Sequence, residues 1–336
     1  MTETPHVSRR GERSDRSGTA PRTTPSARSA GRSLAVVVAV LAVSAAMARA
    51  GSQGGATVGG VPVFTVVVGW IFLVQFAAFL PAWLAQTERY FDLVGSLTFV
   101  TAILGALILT GHTDLPALLL AGAVVVWAAR LGSFLFARVR RSGGDNRFEA
   151  ITPDAPRFLV VWVTQGLWVT LTLSAVLAAV TATERPGLSA VTIVGLVIWI
   201  LGFAVEVAAD LQKKRFRADP ANKTDFIRTG LWAWSRHPNY FGEIVAWLGL
   251  AVAALPALRG WQYATLVSPV FVLILLTRVS GIPLLERKAD ARWGGHPGYQ
   301  EYRASTSVLV LLPPRKPRTG VRTDAGSGAS TPGVHR

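Results

Sequence analysis

The chain has 336 residues, 51% of them hydrophobic and only 16% charged, whereas a soluble domain carries about 25% charged residues. It contains no cysteine, which excludes disulfides, thiolate nucleophiles, iron–sulfur clusters and cysteine-based zinc sites. Its formal net charge of +15 invites a nucleic-acid reading, but the placement of the bases, set out below, removes the need for one.

Residues 1–33 are rich in Arg, Ser, Thr, Pro and Gly. They cannot bury a core and are expected to be disordered, as is the tail 313–336. Between these extensions lie eight apolar segments, near 34–49, 61–84, 93–110, 116–136, 158–182, 188–209, 241–257 and 262–285. A bilayer crossing needs roughly 20 residues. The pattern predicts an all-α, polytopic integral membrane bundle of seven or eight transmembrane helices, with one membrane-embedded domain over 34–312. The first segment ends in AMARA, which resembles a signal-peptidase site; its removal would leave seven.

With the N-terminus inside, the polar segments alternate between 29 basic residues inside and three outside, Arg49, Arg185 and Arg259. This asymmetry places both termini in the cytoplasm and predicts a multi-pass cell-membrane protein. Only Arg130 and Arg278 fall within apolar segments. There is no G-x-G-x-x-G or Walker sequence, so a Rossmann cofactor site is not expected.

The sixth segment reads LVIWILGFAVEVAADLQKKRFR. Glu206 and Asp210, four apart, share a helical face with Lys213, Lys214 and Arg217. One reading is a self-neutralising pair of Asp210 with Lys213 or Lys214. The other is a ligand face, with acids for hydroxyl or amide donors and bases for phosphates. Glu206 favours the second, because it lies about a turn deeper than Asp210, where a carboxylate is costly.

The stretch TGLWAWSRHPNYFGE, residues 229–243, lies on the same side. Pro238 suits the first turn of the seventh helix, whose free N–H groups attract an anion. Arg228, Arg236 and His237 surround that point, and Glu243 enters the membrane one turn in. A basic belt with Trp232 and Trp234 as interfacial anchors explains the Trp and Arg, but not Asn239 and Glu243. Arg278, near the end of the eighth segment, is expected to pair with Glu243 or Glu206. The loop beyond adds Glu286, His296, Tyr299 and Tyr302. The five His are scattered, and no metal site is expected.

The stretch ADLQKKRFRADPANKTDFIRTGLWAWSRHPNYFGEIVAWLGL, with SGIPLLE and GYQEYRAST downstream, resembles the C-terminal domain of steroid 5-alpha-reductase-like proteins, and most of all their bacterial branch. The resemblance covers roughly residues 90–312 and is dense over 202–303. Its R-H-P-x-Y-x-G core also occurs in related isoprenylcysteine and phospholipid methyltransferases, which use S-adenosylmethionine. The core therefore marks a cofactor-binding superfamily and leaves two chemistries open.

The resemblance implies an NADPH pocket among the last helices, open to the cytosol, and a lipid substrate, steroid-like or isoprenoid, reduced at an enone C=C bond. Carried over by position, Glu206, Asp210, Lys214 and Arg217 would meet the cofactor from the sixth helix. Arg236, His237, Asn239, Tyr240 and Glu243 would do so from the seventh, and Arg278, Tyr299 and Tyr302 from the last segment and its loop. Glu206 stands where an Asn is expected, and Trp127 replaces the family's Tyr in the fourth segment. Glu88 and Tyr90, in AWLAQTERYFDLVGS, are the candidate catalytic pair. Against NADPH stands S-adenosylmethionine, and a non-catalytic lipid-binding protein is the third reading. A dinucleotide carrying a third phosphate accounts best for the bases.

Overall fold

The computed structural model describes residues 27–142 and 151–314. They form α1 (Ala27–Gly51), α2 (Val63–Leu84), α3 (Phe91–Thr110), α4 (Leu115–Ser142), α5 (Ala155–Thr181), α6 (Ala190–Ala218), α7 (Pro238–Ala254), α8 (Val267–Ile274), α9 (Ile282–Trp293) and α10 (Pro297–Ser305). Helix starts follow local chemistry. The Asp154 side chain accepts from Arg157 N at 3.2 Å, and Ser189 Oγ accepts from Thr192 N at 3.1 Å. Each satisfies an amide that a helix start would leave free. Gly111 ends α3 in the left-handed region, at φ 66°, a conformation that costs glycine little.

Among the described residues, eight spans are long and apolar enough to cross a membrane, and each overlaps one of the eight segments read from the sequence. The eighth is not one regular helix. A 3-10 turn (Gly260–Leu266) leads into α8, a π turn (Leu275–Val279) follows, and α9 begins after Gly281. The first helix also differs from expectation. It starts at Ala27, ahead of the apolar run, so residues 27–33 are helical. The rest of the extension expected to be disordered, and nearly all of the tail, lie outside the described residues.

Helix α5 is the hub: 83% of its apolar window is buried, against 22% for α6. It packs on α1, α2, α3, α7 and α8. Interhelical hydrogen bonds fix the register, as expected where no water competes. Ser174 Oγ donates to Thr265 O (2.8 Å), Ser268 Oγ to Thr172 O (2.5 Å) and Gln75 Nε2 to Thr98 Oγ1 (3.0 Å). At one end the loops knit together through Ala56 N to Thr181 O (2.7 Å) and an Arg185–Asp114 ion pair (2.8 Å). Because the spans alternate in direction, the opposite end gathers the α2–α3 turn, the ends of α4 and α6, and the start of α7.

Peripheral α6 is held by α7 through a backbone-to-backbone seam. Gly195 and Gly202 on α6 face Gly249 and Gly242 on α7, and a Cβ at any of the four would strike the partner's main chain. Small residues at such spacing let membrane helices approach closely. The seam fixes how the acids of α6 stand against those of α7.

Candidate functional site

The centre of the site is Arg130 on α4. Its two terminal nitrogens donate separately, one to Glu206 and the other to Asp210. The carboxylates lie one helical turn apart on α6, a spacing the planar guanidinium fork can bridge. The Glu206 side chain is 5% exposed, those of Arg130 and Asp210 19% and 18%. This corrects the expected partner of Arg278 and goes against one of the two readings of Asp210. Arg278 does not pair with Glu206 or Glu243, because the π turn leaves its side chain exposed. Asp210 is held by Arg130, while Lys213 places its ammonium over the Trp232 ring at 4.4 Å.

From α7, Asn239 stands beside Asp210, and Glu243 lies within electrostatic reach of Glu206, Asp210 and Arg130. The α7 start has no side-chain cap. Tyr240 stacks on His237 with centroids 5.7 Å apart. On the bundle side of the cluster lies an aromatic box. Trp127 packs edge-on to Trp247 (4.9 Å) and to Phe99 (5.2 Å). Trp127, in place of the expected Tyr, is fully buried and faces Glu206.

A second network ties the α6–α7 loop to α9 and α10. Glu286 accepts from Arg236 at 2.6 Å and from His237 Nε2 at 2.8 Å. Asp290 accepts from Tyr299 Oη at 3.1 Å and pairs with Arg303 at 3.1 Å. Tyr302 Oη donates to Trp232 O (2.7 Å), and Trp232 Nε1 to Ala209 O (3.0 Å). The segment after α10 closes the loop from outside, with Arg236 N donating to Ser307 O and Leu312 N to Trp234 O. Trp232 is thus a core residue here and not an interfacial anchor; Trp234 is exposed.

Burial lowers the His237 imidazole below its ordinary value, against the opposing pull of Glu286. A neutral ring that donates from Nε2 keeps Nδ1 as an acceptor. Burial, then the bond to Asp290, pushes the Tyr299 phenol up to about 12. Burial likewise raises Tyr302. Both phenols are therefore neutral donors at physiological pH.

Among the described residues, several buried polar atoms have no hydrogen-bond partner, and five of them lie on this cluster and the adjoining loop: Glu206 Oε2, Asn239 Oδ1, His237 Nδ1, Arg236 Nε and Trp127 Nε1. Buried polar groups are normally paired. Those on Trp127, Glu206 and Asn239 lie where α4, α6 and α7 meet. Lys214 and Arg217 are exposed at the rim, with no ion pair to any described residue. Glu88 and Tyr90 lie on the α2–α3 turn at the same end; Tyr90 is 53% exposed.

Sequence reasoning missed Arg130 as the central residue, although its position in an apolar run was visible. It gave no role to Asp290 and Arg303, whose partners come from the fold of α9 and α10.

Eight apolar spans with a polar site buried at one end define a multi-pass helical membrane protein. Residues 78–306 match the family described as a protein of unknown function (DUF1295), and the chain belongs to it; this is the steroid 5-alpha-reductase-like family. It is similar to 3-oxo-5-alpha-steroid 4-dehydrogenase 1 of Rattus norvegicus, at 27% identity over 34% of this chain and 39% of the relative. The Bos taurus protein of the same name is 30% identical over 21% of this chain and 27% of the relative. The chain thus matches less than half the length of either relative. No solved structure matches the chain.

Proposed function

We propose that the protein is an NADPH-dependent membrane reductase, acting on an enone-type C=C bond of a steroid-like or isoprenoid lipid, with its cofactor site facing the cytoplasm. The observation that carries this reading is the coincidence of orphaned polar atoms with unpaired bases. Glu206 Oε2, Asn239 Oδ1 and His237 Nδ1 offer acceptors to amide and hydroxyl donors. Lys214 and Arg217, one helical turn or two beyond Asp210, offer cations to phosphates. A dinucleotide phosphate fits that donor set; S-adenosylmethionine, which has no phosphate, leaves the basic rim without a role.

When bound, NADPH supplies a hydride. Asn239 and Glu243 would hold the cofactor from α7, the Trp127–Trp247–Phe99 box would exclude water, and Lys214 and Arg217 would anchor phosphates at the rim. Glu88 and Tyr90, on the α2–α3 turn, border the same mouth. The lipid reaches the site from the bilayer. The basic asymmetry of 29 to 3 supports a cytoplasmic position for this end, where NADPH is available. The names of the similar steroid dehydrogenases support the same substrate class.

The test is direct binding. Purified protein in nanodiscs is titrated with NADPH and with S-adenosylmethionine by calorimetry. Saturable NADPH binding is expected. Binding of the methyl donor alone would identify a lipid methyltransferase, and binding of neither a non-catalytic lipid-binding protein.

A further inference from the structure

We propose that residues 307–312, the strap that follows α10, dock on an anionic lipid surface, and that this docking steadies the loop from which α7 starts. The inference goes beyond the reductase reading and does not depend on it.

Three hydrogen bonds fasten the strap to that loop. Arg236 N donates to Ser307 O (2.8 Å), Ser235 Oγ to Leu309 O (2.7 Å) and Leu312 N to Trp234 O (3.1 Å). The seventh apolar span starts at Pro238, so the three contacts lie within four residues of the point where the chain enters the membrane. The strap is thereby held beside the membrane boundary.

The exposed side chains change character along this stretch. On α10 they include Gln300, Glu301 and Arg303. On the strap they are Val308, Val310 and Leu312, at 42%, 48% and 48% exposure, with Leu309 and Leu311 half-buried between them. Trp234, whose carbonyl holds Leu312, is 47% exposed. Among the described residues beyond Trp293, no other large apolar side chain is exposed. Grouped apolar side chains are costly against water and mark an interaction surface. At a membrane boundary they meet hydrocarbon, and an indole suits the headgroup level.

Charge selects the kind of lipid. After Pro313 and Pro314 the sequence adds Arg315, Lys316, Arg318 and Arg322, with no acid among residues 313–322. Bases next to a membrane-bound apolar segment are drawn to anionic headgroups, and apolar insertion with such attraction is how interfacial segments bind. The occupant is therefore an anionic leaflet. A second copy of this chain, which carries a net charge of +15, would bring like charges together. The consequence for the loop is mechanical. The strap grips Trp234, Ser235 and Arg236, and Arg236 and His237 in turn hold Glu286 of α9.

Site-directed spin labelling of the full chain tests this without a cofactor. The protein has no cysteine, so Val310→Cys places a single nitroxide on the strap, and Glu301→Cys places one on the exposed side of α10. In nanodiscs of phosphatidylcholine mixed with phosphatidylglycerol, the Val310 label should collide readily with oxygen and little with a water-soluble nickel chelate. The Glu301 label should show the reverse. Phosphatidylcholine alone, or high salt, should shift the Val310 label toward water and raise hydrogen exchange across residues 230–238. Val308→Cys repeats the measurement if the first variant folds poorly. A Val310 label as open to the chelate as the Glu301 label, immersion that is equal in the two lipids, or loop exchange that does not follow the label would overturn the proposal. Shielding from both reagents would mean that protein covers the strap, and would overturn it as well. A strap that docks in a protein that binds no NADPH would count only against the reductase reading.

Discussion

Gly242 on α7 lies against the backbone nitrogen of Glu206 on α6. The seam that α6 and α7 share is therefore also the device that sets the acids of the site side by side. A methyl group at Gly242 has only main chain to push against, and main chain cannot rotate away. Gly242→Ala is expected to cost about 1–3 kcal/mol, the usual penalty for overpacking, and to weaken NADPH binding as the helices part. Gly105→Ala on α3, where a Cβ meets open space, should leave the melting temperature unchanged or slightly higher. Thermal unfolding in one detergent compares the two; equal behaviour would refute the seam.

Arg130 is the counter-charge for two acids, so its loss strands both. Arg130→Met should destabilise the protein by about 3–5 kcal/mol, the range seen when one partner of a buried pair is removed. Arg130→Lys keeps the charge but not the fork, and should fall between. Adding Glu206→Gln and Asp210→Asn to Arg130→Met should recover much of the loss, because nothing charged then remains unpaired. Denaturation of the four proteins checks the order; no recovery in the triple variant would show that Arg130 acts by packing.

The spans and their number were legible because an apolar run of bilayer length admits few alternatives to a helix. The acids of α6 and α7 were legible as well, since Glu206 and Glu243 stand out against Val, Ala and Trp. Their partner was not. Arg130 and Arg278 look alike in sequence, each a lone base in an apolar segment. What separates them is the π turn that leaves Arg278 exposed, and the α4–α6 contact, which no local pattern announces. Trp232 misled for a related reason. A Trp at a membrane boundary commonly anchors in headgroups, but here Lys213 and the Ala209 carbonyl give it a place inside.

His237 gives the loop a pH dependence whose sign follows from its burial. Its folded-state value lies below the ordinary one, so the unfolded chain binds the proton more readily than the folded one. The stability this group contributes is fully present above an ordinary His value of about 6.5. It is lost as pH falls from there toward the lower folded value. Acidification from neutrality should therefore loosen the docking of α9 and α10 on the α6–α7 loop. Hydrogen exchange across residues 286–305, followed as pH is lowered, should rise in the wild type. In His237→Asn the rise should be smaller, and an identical profile would assign the effect to another group.

Asn239 and the rim bases should divide the cofactor between them. Asn239→Ala removes an orphaned acceptor and its amide from beside Asp210, and should weaken NADPH and NADH alike, by about tenfold, or about 1.4 kcal/mol. Lys214→Ala and Arg217→Ala act at the exposed rim, where only phosphates are expected. If these bases hold the phosphate that distinguishes NADPH from NADH, each change should weaken NADPH by up to about tenfold and leave NADH nearly untouched. Added salt should erase the difference, because exposed charges are screened beyond about 10 Å at 0.1 M ionic strength. Titrations of both nucleotides at low and high salt separate the cases. Equal losses for NADPH and NADH in the rim variants would move the extra phosphate away from α6, leaving Arg228, and Arg292 in the last turn of α9 near Arg217, as the next cations to change.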